Sequence, residues 1–164
     1  MSDLDNLLIR SAGDNDSGAL IKLIAGVYAE YPGFVLDVDG DMPELRAPAA
    51  VIRKAQGRWW LAEDDDGIIG SVSIEPAADG TIELKKLFIA PITRRRGLGA
   101  HLVTLAESEA RFRGAETMQL WTDTRFEDSH RLYERMGYRR EDATRARNDA
   151  SHSVEYHFVK DLRR

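Results

Sequence analysis

The segment from Thr81 to Ile89 alternates like a β-strand but changes phase part-way. Ile82 and Leu84 share one face of an extended chain, whereas Leu87 and Ile89 fall on the other, with Lys85 and Lys86 between them. Strand side chains have a period of two, so a regular strand cannot slip like this without turning its later apolar residues away from the core. One extra residue near Lys85-Lys86, a β-bulge, restores the register and leaves main-chain groups open to another partner. A strand end buried on both faces would accommodate the same pattern without a bulge. Pro91, which has no N–H for a ladder, ends the strand. Arg94-Arg95-Arg96-Gly97-Leu98-Gly99-Ala100 follows, and from there Leu98, Leu102, Leu105 and Ala106 recur at helical spacing. Glycines let a ligand approach the backbone closely, and the unpaired N–H groups and dipole of a helix start favour an anion. With the arginines adding charge, a pyrophosphate is the simplest group for such a turn to hold.

The rest of the chain supplies elements around this unit. Residues 7–10 read as a first strand, and Asp14-Asn15-Asp16-Ser17 as capping residues for a helix with Leu20, Ile24, Val27 and Tyr28 on one face. Residues 34–42 alternate Asp37, Asp39 and Asp41 with Leu36, Val38 and Gly40 and define no regular element. Pro43 suits the first turn of a second helix with Leu45, Ala49 and Ile52 inward, but Pro48 breaks or delays it. Residues 58–63 and 68–75 flank the turn Asp64-Asp65-Asp66-Gly67 and read as a hairpin. With residues 81–89 they make an antiparallel meander. Trp59 and Trp60 point to opposite faces, one into the core and the other towards a pocket.

The helix that opens at Gly97 should close near Gly114. A strand over residues 118–122 is reached through that helix, which implies a parallel crossover. A short helix over residues 127–136 stops at Gly137, and a strand begins at Tyr138. Residues 141–151 are polar without periodicity and are expected to form a mobile loop. Residues 153–159 alternate as a half-buried last strand. No repeat or linker interrupts the chain, so residues 1–164 read as one α/β (α+β) domain.

Composition narrows the function. A net charge of −5 argues against a nucleic-acid binder. With no cysteine, disulfides, thiolate catalysis and Cys-ligated zinc are excluded, and a cytoplasmic location is expected. No stretch approaches the roughly 20 apolar residues of a membrane span, and the acidic N-terminus lacks a leader pattern.

Two patterns together resemble the GNAT superfamily of N-acetyltransferases, bacterial type. The first is Arg94-x-x-Gly97-x-Gly99, and the second is Leu132-Tyr133-Glu134-x-x-Gly137-Tyr138, one helix and one strand later. Leu120-Trp121-Thr122-Asp123-Thr124-Arg125-Phe126 looks like a common bacterial subgroup, although the family often has an asparagine near Asp123. The similarity covers residues 60–162 well and the first third only in its strand–helix start. The resemblance implies a mixed, mostly antiparallel sheet of about seven strands with about four helices. It also implies a V-shaped splay between the fourth strand (residues 81–89) and the fifth (residues 116–122). Acetyl-CoA would lie in that V as cosubstrate, with no metal.

By the same resemblance, the backbone of Leu87, Phe88 and Ile89 would pair with the pantetheine arm, and Arg95, Arg96, Gly97, Leu98, Gly99 and Ala100 would hold the pyrophosphate together with Arg94. At most two of the three arginines can face it. His130, on the same helix side as Tyr133, would touch the cofactor or the acceptor, or serve the structure alone. A lysine-like amine is under roughly 1% neutral at pH 7, so transfer needs a base or a desolvating pocket. Glu83 is the candidate base through a water, and Tyr133 the candidate proton donor to the leaving thiolate. The implied partner is an amine acceptor, small molecule or protein, and a homodimer is common in the family. A non-catalytic acyl-CoA-binding module is the alternative that the sequence leaves open.

Overall fold

Trp59 and Trp60 show how the molecule is built. Adjacent on one strand, they point to opposite faces of a sheet, and both are buried. Trp59 joins a cluster with Leu20, Ile24, Leu45, Leu61 and Phe88, while Trp60 joins one with Val72, Leu84, Leu102, Val103 and Phe158. The expectation that one of them lines a pocket is therefore corrected: helices cover both faces at this strand, and the indole N–H of Trp59 is used by Ser71 Oγ at 2.9 Å. Fully burying side chains such as Leu102 or Phe158 stabilises the fold by about 1.5–3 kcal/mol each.

The computed structural model describes residues 4, 6–94 and 96–163. Its strands are β1 (Leu8–Ser11), β2 (Arg58–Asp64), β3 (Gly67–Pro76), β4 (Thr81–Ile89), β5 (Thr117–Asp123), β6 (Arg139–Ala146) and β7 (Val154–Asp161). They form one sheet in the order β1-β2-β3-β4-β5-β7-β6. Every neighbouring pair is antiparallel except β4 and β5. The helices are α1 (Ser17–Tyr28), α2 (Val38–Asp41), α3 (Pro48–Lys54), α4 (Leu98–Phe112) and α5 (Glu127–Arg135). The fifth helix beyond the four expected is the single turn α2, inside the stretch that the sequence left undefined. Pro48 ends the run from Pro43 by starting a new helix, because a proline is accepted at a first turn and not inside one. Among the described residues no helix is long and apolar enough to cross a membrane.

The phase slip in β4 is a bulge. Ser71 pairs with Phe88 and Ser73 with Lys85, so β4 advances three residues while β3 advances two. Lys86 takes up the difference at φ 56°, a left-handed conformation that a lysine adopts only when held. Its ammonium is fixed 2.7 Å from Glu44 Oε1. Ile82, Leu84, Leu87 and Ile89 consequently all face the α4 side, and Phe88 faces the α1 side.

The polar stretch expected as a loop over residues 141–151 is a strand in its first half and a loop only from residue 147. Residues up to Ala146 continue β6, which pairs with β7 at the sheet edge, and a strand there can be polar on both faces. At the other edge Arg10 holds Asp16 through two bonds of 2.8 Å, tying β1 to the start of α1.

Candidate active site

β4 and β5 pair through only three rungs, ending at Glu83 opposite Gln119. Beyond that rung the strands diverge, so the β5-facing edge of β4 has no strand partner among the described residues across the bulge and up to Ile89. Two joined recesses fill this fork, a wide cleft of about 680 Å³ and a narrower one of about 400 Å³. They share Leu87, Phe88, Phe126 and Ser129 as a common waist.

The narrow recess is built at the start of α4. Gly97 sits at φ 82°, where a side chain would strain the turn into the helix. The N–H groups of Leu98, Gly99 and Ala100 lie in the first turn, where a helix offers no acceptor, and they have no main-chain partner among the described residues. Gly97, Leu98, Gly99 and Ala100 all line the recess, as do Leu87, Phe88, Ile89 and Arg94. The Leu98 side chain is buried in the core, so only its backbone is available to a ligand. A Cβ on Gly99 would lie 3.1 Å from Leu132 Cδ2, so glycine is what keeps the recess open there. Arg94 lines the recess while paired with Glu30 at 2.6 Å. Arg96 lines a separate hollow beside Asp64, Asp65 and Asp66. Arg95 lies outside the described residues. Sequence reasoning missed Arg131 and Arg135, one turn apart on α5, which also line the recess; Arg131 is paired there with Asp128. Their four-residue spacing on a helix was the available signal.

The wide cleft holds Glu83 and Tyr133 together. Tyr133 is buried against Tyr138 and Phe158, and its hydroxyl has no hydrogen-bond partner among the described residues. Burial pushes its phenol pKa up, so at neutral pH it keeps its proton. Glu83 Oε1 accepts from Gln119 Nε2 at 3.1 Å, and Lys85 Nζ lies 3.6 Å from Glu83 Oε2. Tyr138 faces elsewhere: its hydroxyl donates to buried Glu107 at 2.7 Å, and Lys160 closes on the same carboxylate at 3.0 Å.

His130 lines neither recess. Its Nε2 is 2.9 Å from the Asp123 carbonyl and its ring packs on Tyr156 and Phe158, which braces α5 on the sheet. Asp123, where the family often has asparagine, is a buried carboxylate gripped by Arg125 through two bonds of 2.9 Å. Burial favours its neutral form, but the Arg125 guanidinium and N–H outweigh that and hold the carboxyl below the usual range. Arg125 in turn covers the Phe34 ring at 3.9 Å and donates to the Ser151 carbonyl at 3.0 Å. The segment around Phe34 and the loop before β7 thereby become facing walls of the cleft.

The model of the acetyltransferase (GNAT) family matches residues 27–138, more than half of the chain. The chain belongs to the GNAT family of acetyltransferases. It is 30% identical over 122 residues to the probable N-acetyltransferase 14 of Xenopus tropicalis, covering 73% of this chain and 58% of that relative's length. It is 28% identical over 136 residues to the aminoalkylphosphonate N-acetyltransferase of Salmonella typhimurium, covering 80% of this chain and 84% of that one. An acetyltransferase structure from Staphylococcus aureus superposes with a TM-score of 0.82 at 18% identity, covering 96% of this chain and 99% of the other. The structure of yncA from Salmonella typhimurium with its cofactor acetyl-CoA superposes at a TM-score of 0.73 with 19% identity over 96% and 95% of the two chains. The two superpositions show that the overall fold is shared.

Proposed function

We propose that the protein transfers the acetyl group of acetyl-CoA to a primary amine of a small molecule or a protein, by direct attack with both substrates bound in the fork. The observation that carries this reading is the junction of the two recesses at the bulge, with an anion-binding helix start on one side and Glu83 and Tyr133 on the other. The narrow recess suits the coenzyme chemically. The N–H groups of Leu98, Gly99 and Ala100 face a diphosphate with Arg94, Arg131 and Arg135 near it, and the open edge at residues 87–89 can pair with the amides of the pantetheine arm.

The acyl donor supplies an activated acetyl thioester. Glu83 accepts, through a water, the proton that the acceptor ammonium must lose. A main-chain N–H beside the bulge stabilises the charge that develops on the acyl oxygen. Tyr133 gives its phenolic proton to the departing sulfur as the C–S bond breaks, and takes back the second proton that the nitrogen loses on becoming an amide. Asp37, Asp41 and Asp149 also line the cleft; each accepts from a main-chain N–H and none has an ion-pair partner among the described residues, which favours a cationic acceptor.

The test is a thiol-release assay with acetyl-CoA and a panel of primary amines, peptides included. Amine-dependent release is the expected result. Tight coenzyme binding with no release from any amine would replace this reading with that of a non-catalytic acyl-CoA-binding module.

A further inference from the structure

We propose that Gln119 and His157 are a positioning pair that sets the direction of the Glu83 carboxylate at the fork; this rests on the reading of Glu83 as the base. Glu83 and Gln119 are the last opposed residues of β4 and β5, and opposed residues share a face, so their side chains meet where the strands part. Gln119 Nε2 donates to Glu83 Oε1 at 3.1 Å, and Gln119 Oε1 lies 3.1 Å from His157 Nε2. His157 is itself fixed, with its ring stacked on Trp121 at 4.3 Å and 11°. Arg145 lies over the same Trp121 at 4.3 Å and is held by Glu155 at 2.7 Å. The Lys85 contact to Glu83 is longer, at 3.6 Å, and Lys85 is drawn closer to Glu75, so Gln119 makes the short directional bond.

Amide chemistry makes this chain one-directional. An ionised carboxylate only accepts, so the NH₂ end of Gln119 faces Glu83 and its oxygen faces His157. His157 must then present Nε2–H, which leaves Nδ1 without a proton in the neutral ring. The opposite amide orientation would set two acceptor oxygens face to face. Burial holds His157 towards its neutral form, with Glu141 and Glu83 drawing it back and Arg145 opposing them. The charged groups around the chain are thus Lys85 and Glu75 at one end, and Glu141, Arg145 and Glu155 at the other. A purely structural pair would tie β7 to β5 and matter for stability alone. A positioning pair also governs turnover through Glu83.

The experiment measures thiol release with acetyl-CoA and the best amine of the panel, alongside ¹⁵N NMR of the His157 ring. Glu83→Gln should lower kcat; an unchanged rate would overturn the role of Glu83 itself, and this inference with it. Gln119→Leu and His157→Phe should each lower kcat about tenfold with KM for acetyl-CoA unchanged. His157→Gln, which keeps a donor, should recover most of the rate. Gln119→Leu should have no further effect in the Glu83→Gln background. The NMR should report the Nε2–H tautomer in the unliganded wild type. If Glu83→Gln is slow but the Gln119 and His157 variants keep the wild-type rate, lose rate independently of Glu83, or show an Nδ1–H ring, the positioning role is overturned while the base stands.

Discussion

The Ser151 hydroxyl accepts from the Val35 N–H at 2.9 Å and donates to the Val35 carbonyl at 3.0 Å, joining residues 116 positions apart. With Ala150 N–H donating to Asp41 Oδ2 at 3.0 Å, this seam ties the segment after α1 to the loop before β7. Both sides of the seam line the wide cleft. Ser151→Ala leaves the Val35 polar groups without those bonds and should destabilise the protein by about 1–3 kcal/mol. In kinetics the variant should raise KM for the amine and leave KM for acetyl-CoA unchanged, because the narrow recess lies on the other side of the waist. Equal rises in both constants would mean that the seam supports the whole fork and not one wall of it.

Gly99→Trp should abolish acetyl-CoA binding. Even a Cβ at this position meets Leu132 at 3.1 Å and Ile89 at 3.8 Å, and an indole would fill the recess between α4 and α5. Calorimetric titration with acetyl-CoA checks this, and wild-type affinity would refute the assignment of the recess.

Tyr133→Phe separates chemistry from folding. The hydroxyl has no partner among the described residues, so its loss removes no internal hydrogen bond and should leave the melting temperature within a degree or two of wild type, as removal of an exposed or unbonded group does. Turnover should fall about 10²-fold with coenzyme affinity retained. Undiminished turnover would exclude Tyr133 as the proton donor.

Stability should respond to acid through Asp16 and Asp123. The bonds from Arg10 lower the Asp16 carboxyl most strongly, burial opposes them, and the Gly13 N–H adds to the lowering. Asp123 is held below its ordinary value as described above. A carboxyl whose folded pKa lies below its unfolded value stabilises the fold fully above the unfolded value, about 3.9, and loses that contribution as pH falls through the folded one. Thermal melts between pH 7 and pH 2 should therefore show a smaller acid loss for Asp16→Asn and Asp123→Asn than for wild type, although both variants start from a lower melting temperature. An identical slope in all three would show that these pairs do not set the acid response.

Much of this molecule follows from local pattern. The bulge was written in the displaced phase of Ile82, Leu84, Leu87 and Ile89, because a period of two tolerates no slip. The open helix start was written in Gly97 and Gly99, because only particular residues permit that turn. Other features left no local trace. Strand β6 is polar because it is an edge, and composition alone could not tell it from a loop. The Glu83–Gln119–His157 chain joins three strands, and the Ser151–Val35 seam joins residues over a hundred positions apart. His130 and Trp59 carried the right chemistry for a site, but packing turned both inward. The sequence by itself determined which backbone positions must bend, open or begin a helix, since those are properties of a few adjacent residues. Only the tertiary structure decided which side chains share the fork, since that depends on strand order and on where two strands stop pairing.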